Sequence, residues 1–249
     1  MSGLLLPWAR LTALILILLV ARPGAAQVSA ESSAPPQGWV TLMAEDFEGT
    51  FPHSPWHVGK TGDPYLWGQR SCNVHGGSAA MWGGGGGSLG SLIPCGAHYV
   101  TGFATTLSYG PLDLSGCSDL RVNFAHWTQL GPGDSLGIGF SVDGGKAWHV
   151  IPLTGNFVAG CGGWCRESLD QARWTVPLCG QKSVYLLFRF ASNAEGVSYG
   201  TFVDDVSLEA FVATGSATPA ATATAAPTGT STPRPGPRVY LPVHLLQSN

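Results

Sequence analysis

Glu45-Asp46-Phe47-Glu48 is an acid cluster, and Asp204-Asp205 is a second. Paired carboxylates on one strand could do the acid–base and nucleophilic work of a retaining glycosidase. The spacing is wrong for it: no E-x-D-x-x-E triplet occurs, and along a strand Glu45 and Glu48 fall on opposite faces. His53 and His57 stand four apart, as zinc ligands on one helix turn would, but Ser54-Pro55 between them opposes a helix. They read as loop histidines. No H-E-x-x-H, G-x-S-x-G or phosphate-binding loop is present. Catalytic chemistry is therefore not expected.

The six cysteines are Cys72, Cys95, Cys117, Cys161, Cys165 and Cys179. An even count in an exported chain reads as disulfides, and six allow about 15 connectivities. Cys161 and Cys165 can close a small loop around Gly-Gly-Trp. Cys117 and Cys179 each precede an apolar strand, and Cys72 and Cys95 bracket a glycine-rich stretch. The favoured set is 72–95, 117–179 and 161–165. Trp67, Trp82 and Trp164 read as lying in glycine-rich loops, where exposed rings could stack on sugars with the indole N–H as a polar handle. Trp56, Trp127 and Trp148 read as packing residues.

The elements that would position these groups are strands. Charged residues are 11% of the 249, with 35 Gly and 18 Pro, against about 25% charged in an average globular chain. That excludes a helix bundle, a coiled coil and a charged disordered protein. Twelve basic and fifteen acidic residues give −3, and without a basic run no nucleic-acid partner is expected. Residues 120–125, 136–142, 147–153, 184–190 and 201–212 read as strands, and Asp143-Gly144-Gly145 as a hairpin turn.

The ends differ in composition. Arg10 followed by apolar Leu11 to Ala21 and a small-residue site ending at Ala26 reads as a signal peptide over residues 1–26, with Ala30 a second cleavage option. The apolar run is shorter than the roughly 20 residues of a membrane span, so the mature chain is expected to have none and to carry ten bases against fifteen acids. Residues 37–212 form the folded domain. Residues 213–237 are almost entirely Ala, Thr, Pro, Gly and Ser, which cannot bury enough apolar surface to order, and read as a stalk. Residues 238–249 form a short apolar tail, "RVYLPVHLL" at its core. It resembles the "VYLP" tails of secreted bacterial proteins, which implies surface retention or sorting. Docking on the domain is the other reading.

Four blocks of the domain carry a further resemblance. They are EDFEGTFP (45–52, with Trp56 beyond), LDLSGCSDLRVNFAHW (112–127), FSVDGGKAWHVI (140–151) and YGTFVDDVSL (199–208). In this order they resemble the opening strand, central strand, Asp-Gly-Gly hairpin and closing strand of MAM-like jelly-roll domains. The same set marks choice-of-anchor J domains and the C-terminal region of immune inhibitor A metallopeptidases. The Gly83–Gly87 run and the Cys161–Cys165 loop depart from the pattern. The resemblance implies an all-β, concanavalin-A-like jelly-roll sandwich of two antiparallel sheets, without catalysis, that binds glycans or extracellular proteins. It also implies a structural Ca²⁺ between the first and last strands. Glu48 and Asp204 are its expected ligands, with Asp46, on the same strand face as Glu48, and Asp205 as weaker ones; carboxylate oxygens are the hard donors calcium takes. The expectation is a secreted, surface-associated adhesion or recognition module. A carbohydrate-binding module and an unrecognised extracellular glycoside hydrolase are the alternatives.

Overall fold

Alternation builds the two longest strands, Cys117–Gln129 and Gly200–Val212. In the first, Leu120, Val122 and Phe124 are buried while Arg121 and Asn123 face outward, as the two-residue period of a strand requires. A computed structural model of the chain describes residues 38–153, 161 and 163–212. The expected signal segment, stalk and tail lie outside the described residues.

The described strands are β1 (Gly38–Glu45), β2 (Trp56–Val58), β3 (Leu66–Arg70), β4 (Ala80–Gly86), β5 (Ala104–Leu112), β6 (Cys117–Gln129), β7 (Ser135–Ser141), β8 (His149–Pro152), β9 (Cys165–Asp170), β10 (Val184–Ala191) and β11 (Gly200–Val212). One sheet runs β3-β4-β11-β6-β9, with β1 also paired to β11; the other runs β2-β5-β10-β7-β8. All pairings are antiparallel. Helix among the described residues is confined to one turn, Gly87–Gly90, and a 3-10 turn, Gln171–Arg173. The architecture is an all-β jelly-roll sandwich of two antiparallel sheets.

Aromatic rings bridge the sheets. Phe124 of β6 meets Phe188 of β10 edge to face at 5.3 Å, and Phe190 receives Tyr99 at 5.0 Å and Phe103 at 5.4 Å. Each such pair adds about 0.5–1.5 kcal/mol beyond the area it buries. The disulfides join Cys72 to Cys95, Cys117 to Cys179 and Cys161 to Cys165, the set favoured by the sequence spacing.

Two local readings of the sequence are corrected. The glycine run is not a loop: Gly83 to Gly86 belong to β4, inside a sheet. Glycine is needed there for space. A Cβ on Gly83 would lie 3.0 Å from the Phe190 side chain, and one on Gly86 2.5 Å from the Trp67 carbonyl oxygen. The opening strand also ends earlier than EDFEGTFP suggests. β1 stops at Glu45, whose buried carboxylate accepts the Phe47 N–H at 2.8 Å and the Trp56 indole N–H at 2.9 Å, with His53 Nε2 2.9 Å away. Phe47 takes φ 54°, so Asp46 and Glu48 flank a turn and do not share a strand face.

Candidate functional site

Register assembles the site. Phe202 of β11 is opposite Trp82 of β4 on one side and Trp127 of β6 on the other. Residues directly opposite in an antiparallel pair share a face, and Val203 and His126, their neighbours on the other face, point into the core. The three rings therefore form a row on the outer face of the sheet. Trp82 and Phe202 stack nearly parallel, 8° and 5.7 Å apart. Trp127 stands across them, at 74° and 5.9 Å from Phe202 and at 75° and 6.4 Å from Tyr199. These four rings, with Asn73 and Ala97, line a depression of about 220 Å³. The Cys72–Cys95 bridge joins the two loops at its rim. Trp127 is half-buried and Tyr199 is 43% exposed, so both can meet a ligand.

Hydrogen bonds fix the walls. The Trp82 indole N–H donates to the Tyr199 carbonyl at 3.0 Å. Tyr99, two residues beyond Ala97, donates its backbone N–H to Ser198 O at 3.1 Å. Its buried hydroxyl donates to Asp134 and accepts the Gly131 N–H at 2.6 Å. Burial and the bond to Asp134 push the Tyr99 hydroxyl up to about 12. Asp134 also accepts the Asn193 N–H at 2.7 Å. The Trp127 indole N–H has no acceptor among the described residues.

The expected stacking residues are placed differently. Trp67 is not a loop residue: it lies in β3, 2% exposed, its ring N–H bound to Thr105 O at 3.3 Å. Trp82 is likewise a strand residue, 2% exposed, reaching the depression only as part of its floor. Both positions follow a glycine-rich composition that marks close strand packing here instead of an open loop. Trp164 is half-buried, its indole N–H donates to Asn73 Oδ1 at 3.0 Å, and its ring lies 5.5 Å from His75. It stands one step past the last β6–β9 pair, His126 with Cys165, and so buttresses the Asn73 rim. Trp127, read as a packing residue, is the ring the structure presents. The signal in the sequence was its outward phase along Arg121, Asn123, Ala125 and Trp127.

Three of the four acids, Glu48, Asp204 and Asp205, gather around one loop, 75–79. The Glu48 carboxylate accepts the Ser78 N–H at 2.8 Å, the Ser78 hydroxyl at 2.6 Å and the Ala79 N–H at 2.9 Å. Burial pushes its pKa up, but these bonds together outweigh it and hold the carboxyl below its usual range. A Cβ on Gly77 would stand 2.2 Å from Glu48 Oε1, so only glycine admits this approach. Asp204 is fully buried and accepts N–H groups of His75 at 2.9 Å and Gly76 at 3.2 Å. Burial first, and then Asp205 beside it, raises Asp204 to about 6 against the opposing hydrogen bonds. Asp205 takes His75 Nδ1 at 2.5 Å, and Asp46 caps the Glu48 N–H at 3.2 Å. Among the described residues no three His, Cys, Asp or Glu side chains converge as a metal cluster. The donors suit calcium in kind, being carboxylates from both ends of the domain, and backbone carbonyls would have to supply the rest of its six to eight oxygens.

No protein-family model and no curated protein matches the chain. Among solved structures it is similar to the K1 cleaved adhesin domain of Lys-gingipain from Porphyromonas gingivalis, at 17% identity and TM-score 0.46, covering 69% of this chain and 98% of that one. It is also similar to a CBM22 xylan-binding domain from Paenibacillus barcinonensis, at 12% identity and TM-score 0.42, covering 72% and 99%. A family 11 carbohydrate-binding module from Clostridium thermocellum gives 16% identity and TM-score 0.40, covering 70% and 96%. Likeness of this degree carries no function across. No helix of the described residues is long and apolar enough to cross a membrane.

Proposed function

We propose that the chain is an exported adhesion or recognition module of the MAM-like, choice-of-anchor J type, without catalysis, whose ligand site is the aromatic depression and whose partner is a glycan or an extracellular protein. The observation that carries this reading is the half-open Trp127–Tyr199 corner over the Trp82–Phe202 stack, since concave, mainly apolar sites with a few polar groups are where proteins take ligands. Three disulfides support an oxidising, extracellular setting. The acids support binding over turnover: Glu45, Glu48 and Asp134 are each held by structural hydrogen bonds. None of them lines the depression. The stalk and apolar tail would hold the module at the cell surface. A structural calcium ion held by Glu48 and Asp204 belongs to the same proposal. It rests on Asp204, a buried carboxylate whose described partners are neutral N–H groups.

The test is a combined array of glycans and extracellular proteins, probed with the full chain and its Trp127→Ala variant, with a turnover assay on polysaccharides alongside. The reading expects a ligand whose signal falls at least about tenfold in Trp127→Ala, the loss of about 1.4 kcal/mol, and no product. Glycan hits alone select the carbohydrate-binding form of the reading; released sugar overturns it.

A further inference from the structure

We infer that the aromatic depression recognises a trimethylammonium headgroup, the cation carried by choline or by trimethylated lysine. This rests on the depression being the ligand site and names the chemistry it takes. Size comes first. At about 220 Å³ the space lies below the roughly 300–1,000 Å³ of sites that take drug-sized ligands, so it suits one compact group. The lining comes second. Trp127 and Tyr199 supply the accessible ring surface over a floor of Trp82 and Phe202, both nearly buried, while the polar atoms are few and partly spent. The Trp82 N–H is committed to Tyr199 O and the Asn73 carbonyl oxygen to the Trp164 N–H. A sugar ring buried here would leave hydroxyls without partners, which costs about 1–3 kcal/mol each. A methylated ammonium has no hydrogen to donate and loses nothing on that count.

Charge comes third. Ring faces carry negative quadrupole potential, and mutually perpendicular rings such as Trp127 with Phe202 and Tyr199 offer a cation more than one wall. No Lys or Arg lines the depression. The described span 38–212 holds fourteen acids against eight bases, a net −6, which attracts a cation at long range. The Arg70 guanidinium, held by the Gly85 and Gly90 carbonyls, lies 5.7 Å from the Trp82 ring and is the one fixed cation beside the stack among the described residues.

The experiment titrates the full chain with choline chloride, with its neutral isostere 3,3-dimethylbutan-1-ol and with methyl glycosides, by calorimetry and tryptophan fluorescence. Choline is expected to bind about tenfold more tightly than the isostere, the size of a half-desolvated cation–π contribution. Trp127→Leu should lose that margin, while Trp39→Leu, on the same sheet but away from the depression, keeps it. A trimethyl-lysine peptide and phosphatidylcholine vesicles, as separate arms, tell a protein-borne from a lipid-borne headgroup. Equal affinity for choline and the isostere overturns the inference and leaves an apolar ligand site. Glycoside binding that depends on Trp127 without choline binding overturns it and leaves the recognition reading standing. No binding by any probe, together with an empty array, overturns both.

Discussion

Replacing Tyr99 by Phe removes one oxygen atom and almost no volume, so the cavity penalty is negligible and the loss is electrostatic. Two bonds go with it. The bond to the Asp134 carboxylate is charge-assisted and worth about 1.5–3 kcal/mol, and the bond from the Gly131 N–H is neutral and worth about 0.5–1.5 kcal/mol. Together they predict a loss of roughly 2–4 kcal/mol. The acidity of the hydroxyl gives the pH dependence. Burial first, and then the bond to Asp134, holds it at about 12 in the folded chain against 10.0 in the open chain, so ionisation of the open chain favours unfolding by at most about 3 kcal/mol. Because the folded value is the higher one, the contribution is fully present below pH 10 and is lost as pH rises toward 12. Urea denaturation at neutral pH should show Tyr99→Phe losing this stability with an unchanged m-value. A cycle with Asp134→Asn should be less than additive. Between pH 10 and 12 the wild type should weaken while the Phe variant stays level on this account. A variant within about 0.5 kcal/mol of wild type, the range of an inert surface change, refutes the reasoning.

Three further outcomes are expected. Converting Cys117 and Cys179 to Ser opens a 62-residue connection and should cost about 4 kcal/mol in urea unfolding; native protein with free thiols would contradict the pairing. Gly68→Ala sets a Cβ 2.4 Å from the Gly86 nitrogen and should cost about 1–3 kcal/mol or more, read as a lower melting temperature with loss of near-ultraviolet tryptophan signal. Chelator should lower the melting temperature and Ca²⁺ restore it, by about 2.7 kcal/mol at a hundredfold excess over Kd. Glu48→Gln and Asp204→Asn should abolish that recovery, and an unmoved wild-type curve would dispose of the ion.

Much of the fold was legible because alternation reports directly on which face is buried. Leu120 to Phe124, Leu136 to Phe140 and Val206 to Val212 carry that pattern and are strands. Cysteine spacing was legible because Cys161 and Cys165 stand only four residues apart and Cys117 and Cys179 each lead into an apolar strand. The glycine run misled because composition reports freedom of the chain, whereas β4 uses glycine to pack against Phe190 and the Trp67 backbone. The same error moved Trp67 and Trp82 from strands to loops. The acids misled through Phe47: a single left-handed residue ends the strand phase that would have aligned Asp46 with Glu48. The site itself depends on register between β4, β11 and β6, and no local pattern encodes which of nine tryptophans will stand opposite Phe202.

The most direct test of the recognition site is the tryptophan indole region of a ¹H–¹⁵N correlation spectrum, followed while the ligand selected by the array or by the choline titration is added. The account predicts that the Trp127 N–H resonance shifts with saturation at the measured Kd and that Trp82 follows it, while Trp56 and Trp39 hold still. A saturating shift at Trp39 with Trp127 unmoved would place the ligand elsewhere on the sandwich and contradict the account.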